Sequence, residues 1–138
     1  MATSLKSLRK RKVVDTATAE TIGRVRGVRI DPSGPSVIAL EVKGAVSGVV
    51  AFSEIIGIGP DAVTLPRAAT VIEQDVDAPT DADAYGARLL DDGGREHGTV
   101  SDLVIDDDGR VIQVVAGDQT FDRTLLGIGS YAVVISRA

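Results

Sequence analysis

The chain contains no cysteine and no tryptophan, and its 138 residues include only two phenylalanines, two tyrosines, one methionine and one histidine. Without thiols, disulfides, thiolate metal sites and cysteine nucleophiles are excluded, and stability must come from burial. With His97 as the sole histidine, a histidine-based metal cluster is excluded and a Ser-His-Asp relay would depend on that one residue. So few aromatics argue against an aromatic-caged ligand site. Long apolar runs are missing as well: no stretch approaches the roughly 20 residues needed to span a bilayer, and none of signal-peptide length follows the basic N-terminal residues. The expected compartment is the cytoplasm.

What is present is aliphatic. Hydrophobic residues make up 43% of the chain, an ordinary globular fraction, and they are chiefly Val, Ile, Leu and Ala, types that favour strands. The length suits one ordinary domain or two very small ones. Charge is uneven: residues 1–65 hold nine Lys/Arg against six Asp/Glu, and residues 66–138 hold six against fourteen, giving +3 and −8 for the net −5. Much of the first excess lies in Lys6, Arg9, Lys10, Arg11 and Lys12. These five form a candidate electrostatic docking arm.

An internal repeat organises the chain. Ile22-Gly23-Arg24-Val25, Val28-Arg29-Ile30-Asp31, Gly34 and Val37 recur 75 residues later as His97-Gly98-Thr99-Val100, Leu103-Val104-Ile105-Asp106, Gly109 and Ile112. Ile55-Ile56-Gly57-Ile58-Gly59 and Ala62-Val63-Thr64-Leu65 recur 70 residues later as Leu125-Leu126-Gly127-Ile128-Gly129 and Ala132-Val133-Val134-Ile135. The second copy is thus five residues shorter, a difference the sequence places at Lys43 to Gly48 against Gly117-Asp118, where a hairpin loop tolerates it.

Each copy reads as short β-branched runs separated by turns, and nothing reads as a long helix. Gly34 and Gly109 mark Asp-led turns; Gly57, Gly59, Gly127 and Gly129 mark corners. The spacing of Val25, Val28, Ile30 and of Val100, Leu103, Ile105 breaks strict alternation, which predicts a β-bulge after Val25 and after Val100. Ser53 to Ile56 and Asp122 to Leu126 each suit one capped helical turn. The spacing gives a first module at 1–74 with its basic arm at 1–12, an acidic Pro/Ala tether at 75–84, and a second module at 85–138. Val71-Ile72 suits a strand extending the first module.

Chemical motifs give way to plainer readings. Gly57-x-Gly59-x-x-Ala62 and Gly127-x-Gly129-x-x-Ala132 fit a relaxed dinucleotide fingerprint, but strands follow where a helix is required, and Pro60 removes an amide donor. In an EF-hand register Gly109 would put Val104 and Val115 at ligating positions, so Asp106-Asp107-Asp108 reads as a solvated acidic turn. Asp91-Asp92 beside Gly93-Gly94 reads as a hydrated turn with ordinary carboxyl pKa values. His97 reads as a packing or surface position. The basic arm reads as a solvated lead-in to Val13-Val14, with docking to RNA, to anionic lipid or to the chain's own acidic second half as alternatives. No catalytic, cofactor-binding or metal-ligating residue is expected.

The order Val14-Asp15, Gly23-Arg24-Val25, Ile30-Asp31, Phe52-Ser53-Glu54-Ile55, Gly57-Ile58-Gly59 and Ala62-Val63-Thr64-Leu65 resembles the PRC-barrel family, and the second half resembles a diverged, shorter member. The resemblance covers nearly all of residues 5–65 and 86–136. It implies an all-β chain of two small tandem barrels related by internal pseudo-symmetry, acting as a non-enzymatic adaptor or assembly protein that binds other proteins. A ribosome-maturation factor carries a similar barrel, so the alternative is an RNA- or ribosome-associated factor using the basic arm. The expected core is Val28, Ile30, Val37, Leu40, Ile55, Ile58, Val63 and Leu65, with Leu103, Ile105, Ile112, Val115, Leu125, Ile128, Val133 and Ile135. Such small barrels bury little surface alone, which favours packing on each other or homodimerisation through strand edges.

Overall fold

A computed structural model of the chain describes residues 2–31, 35–74 and 76–137; the expected turn residue Gly34 lies outside the described residues. Strand β1 (Thr3–Ser4) leads into a one-turn helix α1 (Leu5–Leu8), then β2 (Lys12–Asp15), β3 (Glu20–Ile30), β4 (Val37–Gly44) and β5 (Gly48–Ala51). A 3₁₀ turn at Phe52–Glu54 precedes β6 (Gly57–Ile58) and β7 (Ala62–Leu65). After a second 3₁₀ turn at Ala68–Thr70 the order recurs: α2 (Asp81–Ala84), β8 (Arg88–Asp91), β9 (Glu96–Ile105), β10 (Val111–Ala116), β11 (Gln119–Phe121), β12 (Leu125–Ile128) and β13 (Val133–Ile135).

The two halves form two curled sheets of the same topology, β5-β4-β3-β2-β7-β6 and β11-β10-β9-β8-β13-β12, with β1 added on β9. Each has one parallel contact, β2 with β7 and β8 with β13; the other pairs are antiparallel. The fold is all-β, two barrel-like units built on a repeat. The expected bulges are present: the ladder slips between Val25 and Gly27 on β3, and between Val100 and Asp102 on β9.

The halves meet about a pseudo-twofold. Ser36 pairs antiparallel with Arg110, Val37 N–H donates to the Gly109 carbonyl at 2.8 Å, and Val111 N–H donates to the Pro35 carbonyl. Those bonds exchange equivalent residues, the signature of an isologous contact, here inside one chain. Leading segments are exchanged too. Thr3 and Ser4 pair with Ile105 and Val104 of the second half, while Thr80 pairs with Arg29 of the first and the Pro79 carbonyl accepts from Ile30 N–H at 2.8 Å. Ser4 caps α1 and Thr80 caps α2 in a reciprocal box with Asp83, satisfying amides that a short helix leaves open. Residues 79–84 are therefore no polar tether, because pairing on β3 orders them. Buried side chains of both halves form one contiguous cluster.

Several sequence expectations are corrected by this geometry. Val111 lies opposite Ile105 as Val37 lies opposite Ile30, so the repeat partner of Val37 is Val111 rather than Ile112. Val111 and Val114 are buried, whereas Ile112 and Val115 are half-buried, because the second turn is one residue shorter and Ile112 falls on a bulge. The length difference is distributed: one residue in that turn, three in the β4–β5 hairpin against β10–β11, and one between β5 and β6. Val50 opposes Leu40 and Phe121 opposes Val114, leaving four residues before Ile55 but three before Leu125. The helical turn expected at Asp122 to Leu126 does not form, and Leu125 starts a strand instead. Ile55, Ile58 and Ile128 are partly buried at the margin of the core; apart from these and half-buried Ile112 and Val115, the expected core positions are enclosed. Val71 is buried, and Ile72 pairs with Val49 as a short extension of the first sheet.

Candidate functional site

The basic arm is folded into the protein. Leu5 and Leu8 are buried, so the arm is not a solvated lead-in. Arg9 Nη1 lies 2.8 Å from Asp81 Oδ2, whose side chain is 1% exposed. Lys6 donates to the Ser101 carbonyl at 3.2 Å and stands 5.4 Å from the Tyr85 ring centroid. Arg11 donates to the Gly59 carbonyl at 2.9 Å. Lys10 has a left-handed φ of 71° and gives its backbone N–H to the Val25 carbonyl. Lys12 is exposed on β2. Lys6 and Arg9 thus make contact with the chain's own second half.

Asp81 was invisible as a key residue in the sequence, where it is one acid among several. It accepts Val28 N–H at 3.1 Å as well as the Arg9 contact, and its carboxylate stands 2.8 Å from where a Cβ on Gly27 would lie. Beside it, burial first and then the charge of Asp81 push the Tyr85 hydroxyl well above the ordinary tyrosine range. A buried carboxylate needs partners of this kind to stay charged.

The two turns after β2 and β8 share a second device. Asp15 Oδ1 accepts Ala17 N–H at 2.7 Å and Thr18 N–H at 3.3 Å, and Oδ2 accepts Ala68 N–H at 2.9 Å. Asp91 Oδ1 accepts Gly93 N–H at 2.9 Å and Arg95 N–H at 3.0 Å, and its Oδ2 lies 3.0 Å from His97 Nε2. Hence Asp91 is not a hydrated carboxylate: it is buried, and the His97 bond, then the Arg95 amide, hold its pKa down to about 2. For Asp15, burial pushes upward, but the Ala68, Ala17 and Thr18 amides outweigh it and the pKa is lowered. His97 also tilts against Phe121, centroids 5.1 Å apart. A carboxylate fixed by two turn amides and an imidazole is a structural clasp.

Glycines 57 and 127 lie within β6 and β12, whereas Gly59 and Gly129 close the corners by donating N–H to the Ala62 and Ala132 carbonyls at 2.9 and 3.0 Å. Gly109 earns its place twice over, with φ of 84° and the Phe52 ring 2.8 Å from where a Cβ would sit. Among the described residues no group of three or more His, Asp or Glu side chains could hold a metal ion, and no helix is long and apolar enough to cross a membrane.

The surface offers apolar edges and grooves. β6 and β12 are the outermost strands at corresponding ends of the two sheets; Leu126 on β12 is 42% exposed, and Ile56, immediately before β6, is 61% exposed. These two occupy the same place in the repeat. Beside the first edge a groove of about 170 Å³ runs between Ser7, Arg11 and the Ile58-Gly59-Pro60 corner. Its counterpart, between Asp83, Ala87 and the Ile128-Gly129-Ser130 corner, is about 700 Å³. Charge clustering in the sequence marks Arg11 but not the groove it fills, which depends on the Gly59 carbonyl it meets across the fold. No family model matches this chain, and no curated protein matches it.

Proposed function

We propose that the protein is a non-enzymatic adaptor of the tandem PRC-barrel kind, which binds other proteins through the free edges of its two barrels. The observation that carries this reading is the pair Ile56 and Leu126: two exposed aliphatic residues at the same repeat position, Leu126 on the outermost strand β12 and Ile56 immediately before the outermost strand β6. An edge strand offers unpaired backbone groups to an added strand, and a neighbouring apolar side chain supplies the burial that makes such addition specific. Tyr131, 69% exposed and hydrogen-bonded to Arg88 at 2.7 Å, adds a Tyr/Arg pair of the sort that carries binding energy at protein interfaces. The basic arm gives the RNA reading little, because Lys6, Arg9 and Arg11 already have partners within the chain.

The test is a double variant, Ile56→Glu with Leu126→Glu, compared with the native chain in cross-linking capture from cells. Both side chains are outside the core, so the thermal transition should stay in place while cross-links at β6 and β12 disappear. An unchanged cross-link pattern, or saturable turnover of a small molecule abolished by one polar substitution, would overturn the adaptor reading.

A further inference from the structure

The two grooves differ chiefly by one side chain. Arg11 and Ala87 occupy equivalent backbone positions: their N–H groups donate to the Leu8 and Ala84 carbonyls at 3.1 and 3.0 Å, and their carbonyls accept from Val25 and Val100 at 2.8 Å in both cases. In the first groove the Arg11 guanidinium donates through Nη1 to the Gly59 carbonyl at 2.9 Å and through Nη2 to the Ser7 carbonyl at 3.3 Å and hydroxyl at 3.4 Å. In the second groove Ala87 leaves that volume empty. The corner is intact, since Gly129 makes the same bond to Ala132 that Gly59 makes to Ala62. Its carbonyl accepts no hydrogen bond among the described residues.

We propose that the groove at Ala87 and Gly129 receives the guanidinium of an arginine presented by a partner polypeptide, in the position Arg11 takes within the first half. Charge supports that occupant. Asp83 stands where the first groove has Ser7, and Thr80 N–H engages one of its carboxylate oxygens at 2.9 Å. The exchange puts a full negative charge at the point where Arg11 Nη2 finds a neutral serine. Tyr131 replaces Asp61 at the corner and lines the rim, where Arg88 already stands 4.9 Å from its ring centroid. Arg88, the cation at the rim, is paired with Glu96 at 3.1 Å, which offsets its repulsion. A planar fork donating to a fixed carbonyl and to a carboxylate suits guanidinium better than the point charge of lysine. The inference deepens the adaptor reading by naming what one partner contact must carry.

The experiment is an amide chemical-shift titration of the full chain with acetyl-Ala-Arg-Ala-amide, against the same peptide with lysine or citrulline. Saturable shifts are expected at Asp83, Ala87 and Gly129, with the arginine peptide binding about tenfold more tightly than either control. Ala87→Arg supplies the guanidinium from within and should abolish binding. Arg11→Ala should open the first groove and add a second set of shifts at Gly59, so the prediction survives even if Ala87→Arg fails to fold. No saturable shift, equal affinity for citrulline, or native-like binding by a folded Ala87→Arg variant would overturn the proposal. The cross-links at Ile56 and Leu126 would stand or fall separately, because those side chains lie outside this groove.

Discussion

Where α1 crosses β9 and where α2 crosses β3, the same contact is built with its parts on opposite sides. At the first crossing the strand supplies the carboxylate: Asp102 bonds to the Ser4 hydroxyl and accepts Lys6 N–H at 3.0 Å, and the helix supplies buried Leu5. At the second the helix supplies it: Asp81 stands in the place of Leu5, and the strand answers with Gly27 in the place of Asp102. A carboxylate at each crossing accepts backbone amides, the buried Val28 N–H at Asp81 and the exposed Lys6 N–H at Asp102, and either element can carry it if the other makes room. The comparison teaches that the halves have diverged in compensating pairs rather than residue by residue. Asp15 and Asp91 repeat the lesson, one clasped by the amide of Ala68 and the other by His97.

The comparison can be broken most severely at Asp81. Asp81→Ala strands buried Val28 N–H and leaves Arg9 unpaired, and should cost about 3 kcal/mol, against about 1 kcal/mol for Asp102→Ala at its half-exposed site. Urea unfolding of both variants measures the difference, and equal losses would show that the crossings are not alternatives. Gly27→Asp should destabilise by about 2–3 kcal/mol through collision and like charge, and adding Asp81→Leu should restore part of that loss. Additive losses in the double variant would refute the exchange.

Register offers a smaller test. Val111→Ala should cost about 2 kcal/mol and Ile112→Ala about 1 kcal/mol or less, because Val111 is enclosed while Ile112 rides on a bulge. The reverse order would restore Ile112 as the partner of Val37. Smaller again is the left-handed pair: Lys10 has φ of 71° where Gly86 has 80°. Lys10→Gly should raise the thermal midpoint by the equivalent of about 0.5–1 kcal/mol, and Gly86→Ala should lower it by a similar amount.

Acid offers a further comparison. Asp91 has its pKa held near 2, below the roughly 3.9 of an unfolded chain, so its clasp contributes fully above the unfolded value and is lost as pH falls through about 2. His97→Phe removes the largest cause of that depression. The acid limb of unfolding should then begin at higher pH, while the Asp15 clasp, made of backbone amides with the charge of Arg67 beside them, keeps its own acid response. Nuclear magnetic resonance titration of the two carboxyls separates them, and an unmoved Asp91 would show that His97 does not hold it.

Much of the fold was legible because it depends on local pattern. Apolar runs of strand length, turns at Gly and Asp, and two repeat blocks pointed to paired all-β units, and the spacing from Val25 to Ile30 located a bulge before any coordinates. Ile112 was misplaced because a one-residue change in a turn moves inward-facing residues along a strand without altering composition. Ile56 and Leu126 looked like ordinary strand aliphatics. Their exposure follows from lying on or beside the outermost strands, which depends on strand order rather than residue type.

The amino-acid order alone determined that strands would form, that they would come twice, and that aliphatic burial must hold them without thiols, since backbone preference and side-chain transfer act wherever a residue finds itself. Tertiary structure decided which charges found partners. Arg9 needed Asp81 from 72 residues away, Arg11 needed the Gly59 carbonyl across 48, and Ala87 marks a cavity only because its counterpart is filled. Such roles arise from positions that chain separation does not encode, because Coulomb attraction and hydrogen bonding depend on distance in space.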